Sequence, residues 1–142
     1  MGEESGKAKM NTESLDSLAK SRTVLLVDDE KMVLQVGSAI LQRLGHDVIV
    51  AGSGEEALEK FHQFKSSIGC VVLDLTMPGM DGQAVFDSLR KESPALPVII
   101  ATGLSEGQVF DQFGDSPPTA VIQKPYQVMD LSGKIESVFT DL

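Results

Sequence analysis

The sequence is poor in the residue types that form disulfides and soft metal sites. It contains no tryptophan, one tyrosine, one cysteine and two histidines among 142 residues. A single cysteine, Cys70, excludes an intrachain disulfide and a cysteine-based metal cluster. Because Cys70 lies within an apolar run, we expect a buried, inert thiol. The two histidines, His46 and His62, are expected to be solvated at the surface.

Basic residues are also scarce, and long apolar runs are missing. The chain has 12 Lys and Arg against 21 Asp and Glu, a formal net charge of -9. This balance argues against sequence-independent nucleic-acid binding, which needs a basic surface. No apolar stretch approaches the ~20 residues of a membrane span, and residues 1–22 lack the apolar region of a signal peptide. We therefore expect a cytoplasmic protein, with no nucleic-acid partner and no membrane contact by this chain.

The length and composition that are present fit one globular domain. Hydrophobic residues make up 42% of the chain, which is enough for a real core. Residues 1–22 are polar and rich in Gly, Ser, Glu and Lys, and they predict a flexible tail or linker. We expect residues 23–142 to form the folded domain.

Strands and helices are predicted to alternate along that domain. Short apolar runs at residues 23–28, 47–51, 68–74, 97–101 and 119–123 are typical of strands buried on both faces. A helical segment follows each run, and the segment at residues 105–113 has the weakest pattern because it contains Gly107. In the other four helices the apolar residues at helical spacing are Val33, Val36, Ile40, Leu41 and Leu44; Ala57, Leu58, Phe61 and Phe64; Val85, Phe86 and Leu89; and Val128, Leu131, Ile135, Val138 and Phe139. Alternation with short loops predicts an α/β fold with a doubly wound parallel sheet.

Several helix ends carry recognisable signals. Ser53 and Glu56 form a predicted capping box, in which each side chain satisfies a backbone N–H at the start of a helix. Asp81 and Glu30 precede two other predicted helices and are expected to act as caps.

Polar side chains stand at the ends of four of the five predicted strands. They are Asp28 with Asp29, then Asp74, Thr102 and Lys124. The carboxyl ends of parallel strands share one edge, where doubly wound folds place their sites. The second strand ends in apolar residues, which agrees with an outer position and a strand order of 2-1-3-4-5.

Three carboxylates at one edge repel one another, so a cation is needed to offset their negative charge. At ~4 Å and an effective dielectric of ~20, each like-charge pair costs about 4 kcal/mol. Carboxylate oxygens with room for water and phosphate favour Mg²⁺. Together with the lysine and the hydroxyl, Asp28, Asp29 and Asp74 predict a phosphoryl-transfer site in which Asp74 takes the group.

The segments VLLVDDE, VVLDLTMPGMDG, IIATG and QKPY resemble, in order and spacing, the receiver domains of two-component response regulators. The resemblance covers roughly residues 23–142 and implies a flavodoxin-like (βα)5 fold with a phosphoaspartyl group at Asp74. It implies that Asp29 binds Mg²⁺ directly, that Asp28 acts mainly through water, and that Thr76 offers its backbone carbonyl. Thr102 would bond a phosphoryl oxygen, and Lys124 would pair with the phosphoryl charge.

The resemblance also implies partners and an output route. The phosphoryl group would come from a histidine kinase or a histidine phosphotransfer domain and pass a signal to an unknown downstream protein. The face made by the fourth helix, fifth strand and fifth helix would repack, and it also offers a contact for a homodimer. Receivers commonly carry an aromatic residue three positions before the lysine, where this chain has Val121. The subtype looks like the C-terminal receivers of hybrid histidine kinases, so the chain fits both a free-standing regulator and part of such a kinase.

Other functions remain open on the sequence alone. A receiver would be a signalling domain that catalyses only its own phosphorylation and dephosphorylation. A phosphatase with an aspartyl nucleophile would want Asp-x-Asp on the first strand and a cap domain, and the chain has Asp-Asp there. A phosphorylation-independent interaction module is a third reading. Nucleotide or flavin binding is disfavoured because no glycine-rich phosphate loop follows the first strand.

Overall fold

The computed structural model describes residues 23–75, 82–114, 117–124 and 127–140. Five strands and five helices alternate along these residues, and each predicted strand agrees with the observed one to within one residue at either end. They are β1 (Thr23–Val27), α1 (Lys31–Arg43), β2 (Val48–Ala51), α2 (Gly54–Gln63), β3 (Ile68–Asp74), α3 (Gly82–Glu92), β4 (Val98–Thr102), α4 (Glu106–Phe113), β5 (Ala120–Gln123) and α5 (Val128–Thr140). The predicted tail, residues 1–22, lies outside the described residues.

The five strands form one parallel sheet in the order β2-β1-β3-β4-β5. This confirms the predicted order of 2-1-3-4-5. In register, Val27 lies opposite Leu73, and Asp74 lies opposite Ala101. The central strands therefore end at nearly the same level, and the residues that follow them meet at one edge of the sheet.

The core lies in two layers, one on each face of the sheet. Side chains from α2, α3 and α4 pack with alternate strand residues on one face. Those of α1 and α5 pack with the other set of strand residues on the opposite face, which includes Cys70. Consecutive side chains of a strand point to opposite faces of the sheet, and helices cover both faces. The strand sequences are therefore continuous apolar runs. Within the described residues, no helix is long and apolar enough to cross a membrane.

Three predictions about helix faces were wrong. Val36 is 49% exposed, because the buried residues of α1 are Gly37 and Leu41, one step further round the helix. Phe64 is exposed because α2 ends before it, so that it leaves the predicted face. Val128 is also exposed, at the first residue of α5 before the helix meets the sheet.

The prediction for His46 was wrong as well. Its side chain is buried and its ring stacks on Phe139 at 5.1 Å between centroids. Its Nε2 lies 3.7 Å from Oε2 of Glu136 on α5. The turn at Gly45, with φ of 93°, brings the chain back over the helix and directs His46 inward. His62 is exposed, as predicted, and pairs with Glu92.

The helix caps agree with the sequence in part. The Ser53 hydroxyl accepts a hydrogen bond from the Glu56 N–H at 3.1 Å, and the Glu56 carboxylate accepts one from the Gly52 N–H at 2.7 Å. A full capping box of Ser105 and Gln108 starts α4, which offsets the cost of the internal glycine. The predicted cap at Asp81 lies outside the described residues.

Candidate functional site

Three carboxylates gather at the carboxyl edge of the sheet, as the sequence predicts. Asp28 follows β1 and Asp74 ends β3, next to the paired residues Val27 and Leu73. One oxygen each from Asp28, Asp29 and Asp74 lie within 4.8 Å of one another. Asp28 and Asp74 are fully buried, whereas Asp29 is exposed. The cluster therefore has two carboxylates that are shielded from water and a third that is open to solvent.

Lys124 supplies a positive charge to this cluster. Its Nζ lies 2.9 Å from Oδ2 of Asp28 and 3.2 Å from Oδ2 of Asp74. Partial burial alone would lower the pKa of Lys124, but the contact with Asp28 and the charges of both aspartates outweigh it. The pKa of the ammonium therefore lies above its ordinary value, and Lys124 is charged at neutral pH.

Thr102 joins the site through its backbone. It ends β4, its side chain is buried, and its carbonyl accepts a hydrogen bond from the Lys124 N–H at 2.9 Å. The Thr102 hydroxyl accepts a hydrogen bond from the Leu104 N–H at 3.2 Å. The hydroxyl is thus engaged within its own loop, and the lysine that follows β5 is tied to the threonine that ends β4. The predicted backbone ligand Thr76 lies outside the described residues.

Glu30 is a member of the site that the sequence reasoning assigned to a different role. It occupies the N-cap position of α1 but its side chain makes no capping bond, so the predicted cap was wrong. Instead, the Glu30 N–H donates to Oδ1 of Asp28 at 3.0 Å, and its Oε1 lies 3.5 Å from Nζ of Lys124. No local signal could have revealed this contact, because Lys124 follows β5, far from Glu30 along the chain.

Gly82 is a second residue whose importance only the structure reveals. A Cβ atom built on Gly82 would lie 2.4 Å from the carbonyl oxygen of Leu75, the residue that follows Asp74. No side chain fits at that distance. Glycine therefore lets α3 begin directly against the segment that carries Asp74, and the Leu75 N–H donates in turn to the Ala101 carbonyl at 3.1 Å.

The donor set fits a hard divalent cation. The ligand candidates among the described residues are carboxylate oxygens, and two of them, on Asp28 and Asp74, are buried next to each other. Lys124 alone balances only one of the three negative charges. Oxygen ligands with an exposed side, here at Asp29, suit Mg²⁺, which retains several water molecules when it binds to proteins. The residues present therefore fit the predicted metal.

Val121 occupies the position where receivers commonly carry an aromatic residue. It is 5% exposed and packs with the core layer under α2, α3 and α4. An open cavity of about 390 Å³ lies beside it, lined also by Ser105 of the α4 cap and Lys134 of α5. The cavity opens on the face formed by α4, β5 and α5.

Two known proteins illustrate what this chain is similar to in sequence. The sensor kinase CckA of Brucella abortus is 32% identical over 126 residues, which are 89% of this chain and 13% of that protein. A probable transcriptional regulator, ycf27 of Porphyridium aerugineum, is 39% identical over 117 residues, 81% of this chain and 47% of that protein. The chain spans less than half the length of either curated relative.

The solved structures agree with the fold. The crystal structure of the receiver domain from the hybrid histidine kinase CckA matches with a TM-score of 0.69 and 25% identity, over 82% of this chain and 98% of that one. This likeness agrees with the predicted resemblance to receivers of hybrid kinases. The family model described as the response regulator receiver domain matches residues 24–136. With its parallel five-stranded sheet and its acidic edge, the chain belongs to the response regulator receiver domains.

Proposed function

We propose that this chain is a phosphoacceptor, and that Asp74 receives a phosphoryl group from the phosphohistidine of a histidine kinase or phosphotransfer domain. One observation carries the proposal: the buried Asp74 carboxylate lies among two further carboxylates and 3.2 Å from Lys124. An oxygen of Asp74 attacks the phosphorus, the P–O bond forms as the P–N bond breaks, and the leaving imidazole takes up a proton. The product is an acyl phosphate on Asp74.

Asp28, Asp29 and Asp74 would hold Mg²⁺, with Asp29 as a direct ligand and Asp28 acting mainly through water. The backbone carbonyl of Thr76 would complete the protein ligands. The ion would offset the negative charge of the carboxylates and of the incoming phosphoryl group. Two of the three carboxylates, those of Asp28 and Asp74, would bind the ion from buried positions.

Lys124 and Thr102 would respond to the new group. A phosphoryl group adds about -1.5 to -2 charge near neutral pH, which attracts the ammonium of Lys124. The Thr102 hydroxyl would leave the Leu104 N–H and donate a hydrogen bond to a phosphoryl oxygen. Because the Lys124 N–H bonds the Thr102 carbonyl, a shift of one residue would move the other.

The output would use the face formed by α4, β5 and α5. Along the chain, α4 is the next element after Thr102, and α5 is the next element after Lys124. Val121 excludes a swinging aromatic ring at its own position, so the backbone shift of β4 and β5 would alter this face. A downstream protein or a second copy of the chain would bind there. Residues 1–22 would act as a tail or linker to the domain of residues 23–142, in the cytoplasm.

The test is phosphorylation of the purified protein by acetyl phosphate with Mg²⁺, followed by intact mass measurement. The expected result is the gain of one phosphoryl group by the wild type and none by Asp74→Asn. Asp47→Asn is the matched control, because Asp47 is exposed at the opposite edge of the sheet and should not alter the gain. No gain by the wild type, or an equal gain by Asp74→Asn, contradicts the proposal.

A further inference from the structure

The side chain of Glu30 reaches into the site from its rim. Glu30 follows the acidic pair directly, and its backbone N–H is anchored on Oδ1 of Asp28 at 3.0 Å. Its carboxylate makes no helix-capping bond and lies 3.5 Å from Nζ of Lys124. This hydrogen bond therefore fixes the backbone position of Glu30, and the side chain extends from there to Lys124.

Lys124 consequently divides its ammonium among three carboxylates. The distances from Nζ are 2.9 Å to Asp28, 3.2 Å to Asp74 and 3.5 Å to Glu30. The ammonium donates a hydrogen bond to Asp74, and it lies within ion-pair distance of Asp28 and Glu30. An ion pair between Lys124 and a phosphoryl group on Asp74 can form only if one of these contacts is released.

The contact with Glu30 is the one that is easiest to release. The side chains of Asp28 and Asp74 are 0% and 1% exposed, so that loss of their partner would leave a buried charge. The Glu30 side chain is 62% exposed, and its carboxylate regains water as soon as the lysine leaves.

We infer that Glu30 is a positioning residue that restrains Lys124 in the unphosphorylated state, and that release of this restraint is part of phosphoryl acceptance. The inference rests on the proposed function of Asp74. Glu30 then slows acceptance, because the ion pair must be broken before the ammonium can reach the phosphoryl oxygens. The restraint depends on the reach of the side chain and not on its charge alone.

Two variants of Glu30 separate the effect of side-chain length from the effect of charge. Glu30→Gln removes the charge and the ion pair together. Glu30→Asp retains the charge but is shorter by one methylene, so that its carboxylate no longer reaches Lys124. Glu59→Gln is the matched control, because Glu59 is exposed on α2 and its replacement changes the net charge equally. Circular dichroism confirms that each variant is folded.

The experiment measures the initial rate of phosphorylation against acetyl phosphate concentration, at saturating Mg²⁺, by intact mass. We expect both Glu30 variants to raise the maximal rate about two- to fivefold, the range that an exposed ion pair supports. The acetyl phosphate concentration at half-maximal rate should stay unchanged, since the restraint acts on Lys124 and not on donor binding. Glu59→Gln should match the wild type.

Three outcomes overturn the inference. Equal maximal rates for all folded variants show that Glu30 does not restrain the lysine. If Glu30→Gln is phosphorylated faster while Glu30→Asp behaves like the wild type, the negative charge of Glu30 repels the phosphodonor and Glu30 does not restrain Lys124. If no variant and no wild-type protein gains a phosphoryl group, the proposed function fails and the inference falls with it, whereas phosphorylation at one common rate leaves the function intact.

Discussion

The ammonium of Lys124 lies 2.9 Å from the buried carboxylate of Asp28. This contact is shorter than the one it makes with the proposed phosphoacceptor, at 3.2 Å. The lysine is therefore an internal counterion of the acidic cluster before any phosphoryl group arrives. Its role in stability can be separated from its role in phosphorylation.

Replacement of Lys124 by Met should destabilise the protein most strongly in the absence of divalent cations. The change leaves two buried aspartates without their counterion, which we expect to cost about 1–3 kcal/mol, below the full cost of breaking a buried pair because Lys124 is 19% exposed. Urea denaturation followed by circular dichroism, with and without Mg²⁺, measures the difference. Lys91→Met changes an exposed lysine and serves as the control. Equal losses of stability with both variants contradict the counterion role.

Binding of Mg²⁺ should raise the free energy of unfolding of the wild type. A ligand that binds only the folded state stabilises it by RT ln(1 + [L]/Kd), about 1.4 kcal/mol at ten times the Kd. Asp29→Asn should abolish most of this gain, while Asp87→Asn, an exposed residue of α3, should keep it. Thermal denaturation across a Mg²⁺ titration, with EDTA as the zero point, provides the measurement. A gain that Asp29→Asn retains in full would rule out the proposed ligand set.

Gly82→Ala should both destabilise the domain and slow phosphorylation. The new Cβ would lie 2.4 Å from the Leu75 carbonyl oxygen, so the start of α3 must move away from the segment that carries Asp74. We expect a loss of about 1–3 kcal/mol, as for overpacked sites. Gly133→Ala is a sharp control, because open space surrounds that position within α5. It should instead stabilise the helix by about 0.5–1 kcal/mol, since alanine favours helices over glycine. Opposite signs in urea denaturation are the expected result, and a stabilising Gly82→Ala contradicts the steric argument.

Cys70 should resist alkylation while the protein is folded. Burial raises the pKa of its thiol from 9.0 to about 12. Near pH 8 this lowers the fraction of reactive thiolate about a thousandfold, and the packed sheet also blocks the reagent. Iodoacetamide followed by mass measurement should show negligible labelling in buffer and full labelling in strong denaturant. Since the shift is upward, labelling of the folded protein should increase only as the pH rises toward 12. Rapid labelling of folded protein near pH 8 contradicts the burial of this thiol.

The sequence alone determined the order of elements, the strand positions and the polar strand ends. These follow from local signals, because apolar runs, helical spacing and turn residues act over a few positions. The convergence of Asp28, Asp74 and Lys124 also followed, since parallel strands align their carboxyl ends. The roles of Thr102 and of the Mg²⁺ ligands stay predictions.

Only the tertiary structure decided which face of each helix is buried, and which distant side chains meet. Val36 has the correct spacing for a core residue, yet the rotation of α1 leaves it exposed and turns Gly37 toward the core together with the predicted Leu41. His46 is buried because Phe139, far along the chain, supplies a ring for it to stack on. The contact between Glu30 and Lys124 arises in the same way, because the parallel sheet brings the carboxyl ends of β1 and β5 to one edge, where the long lysine side chain spans the gap between them. Such contacts depend on packing across the whole domain, and no local pattern in the sequence encodes them.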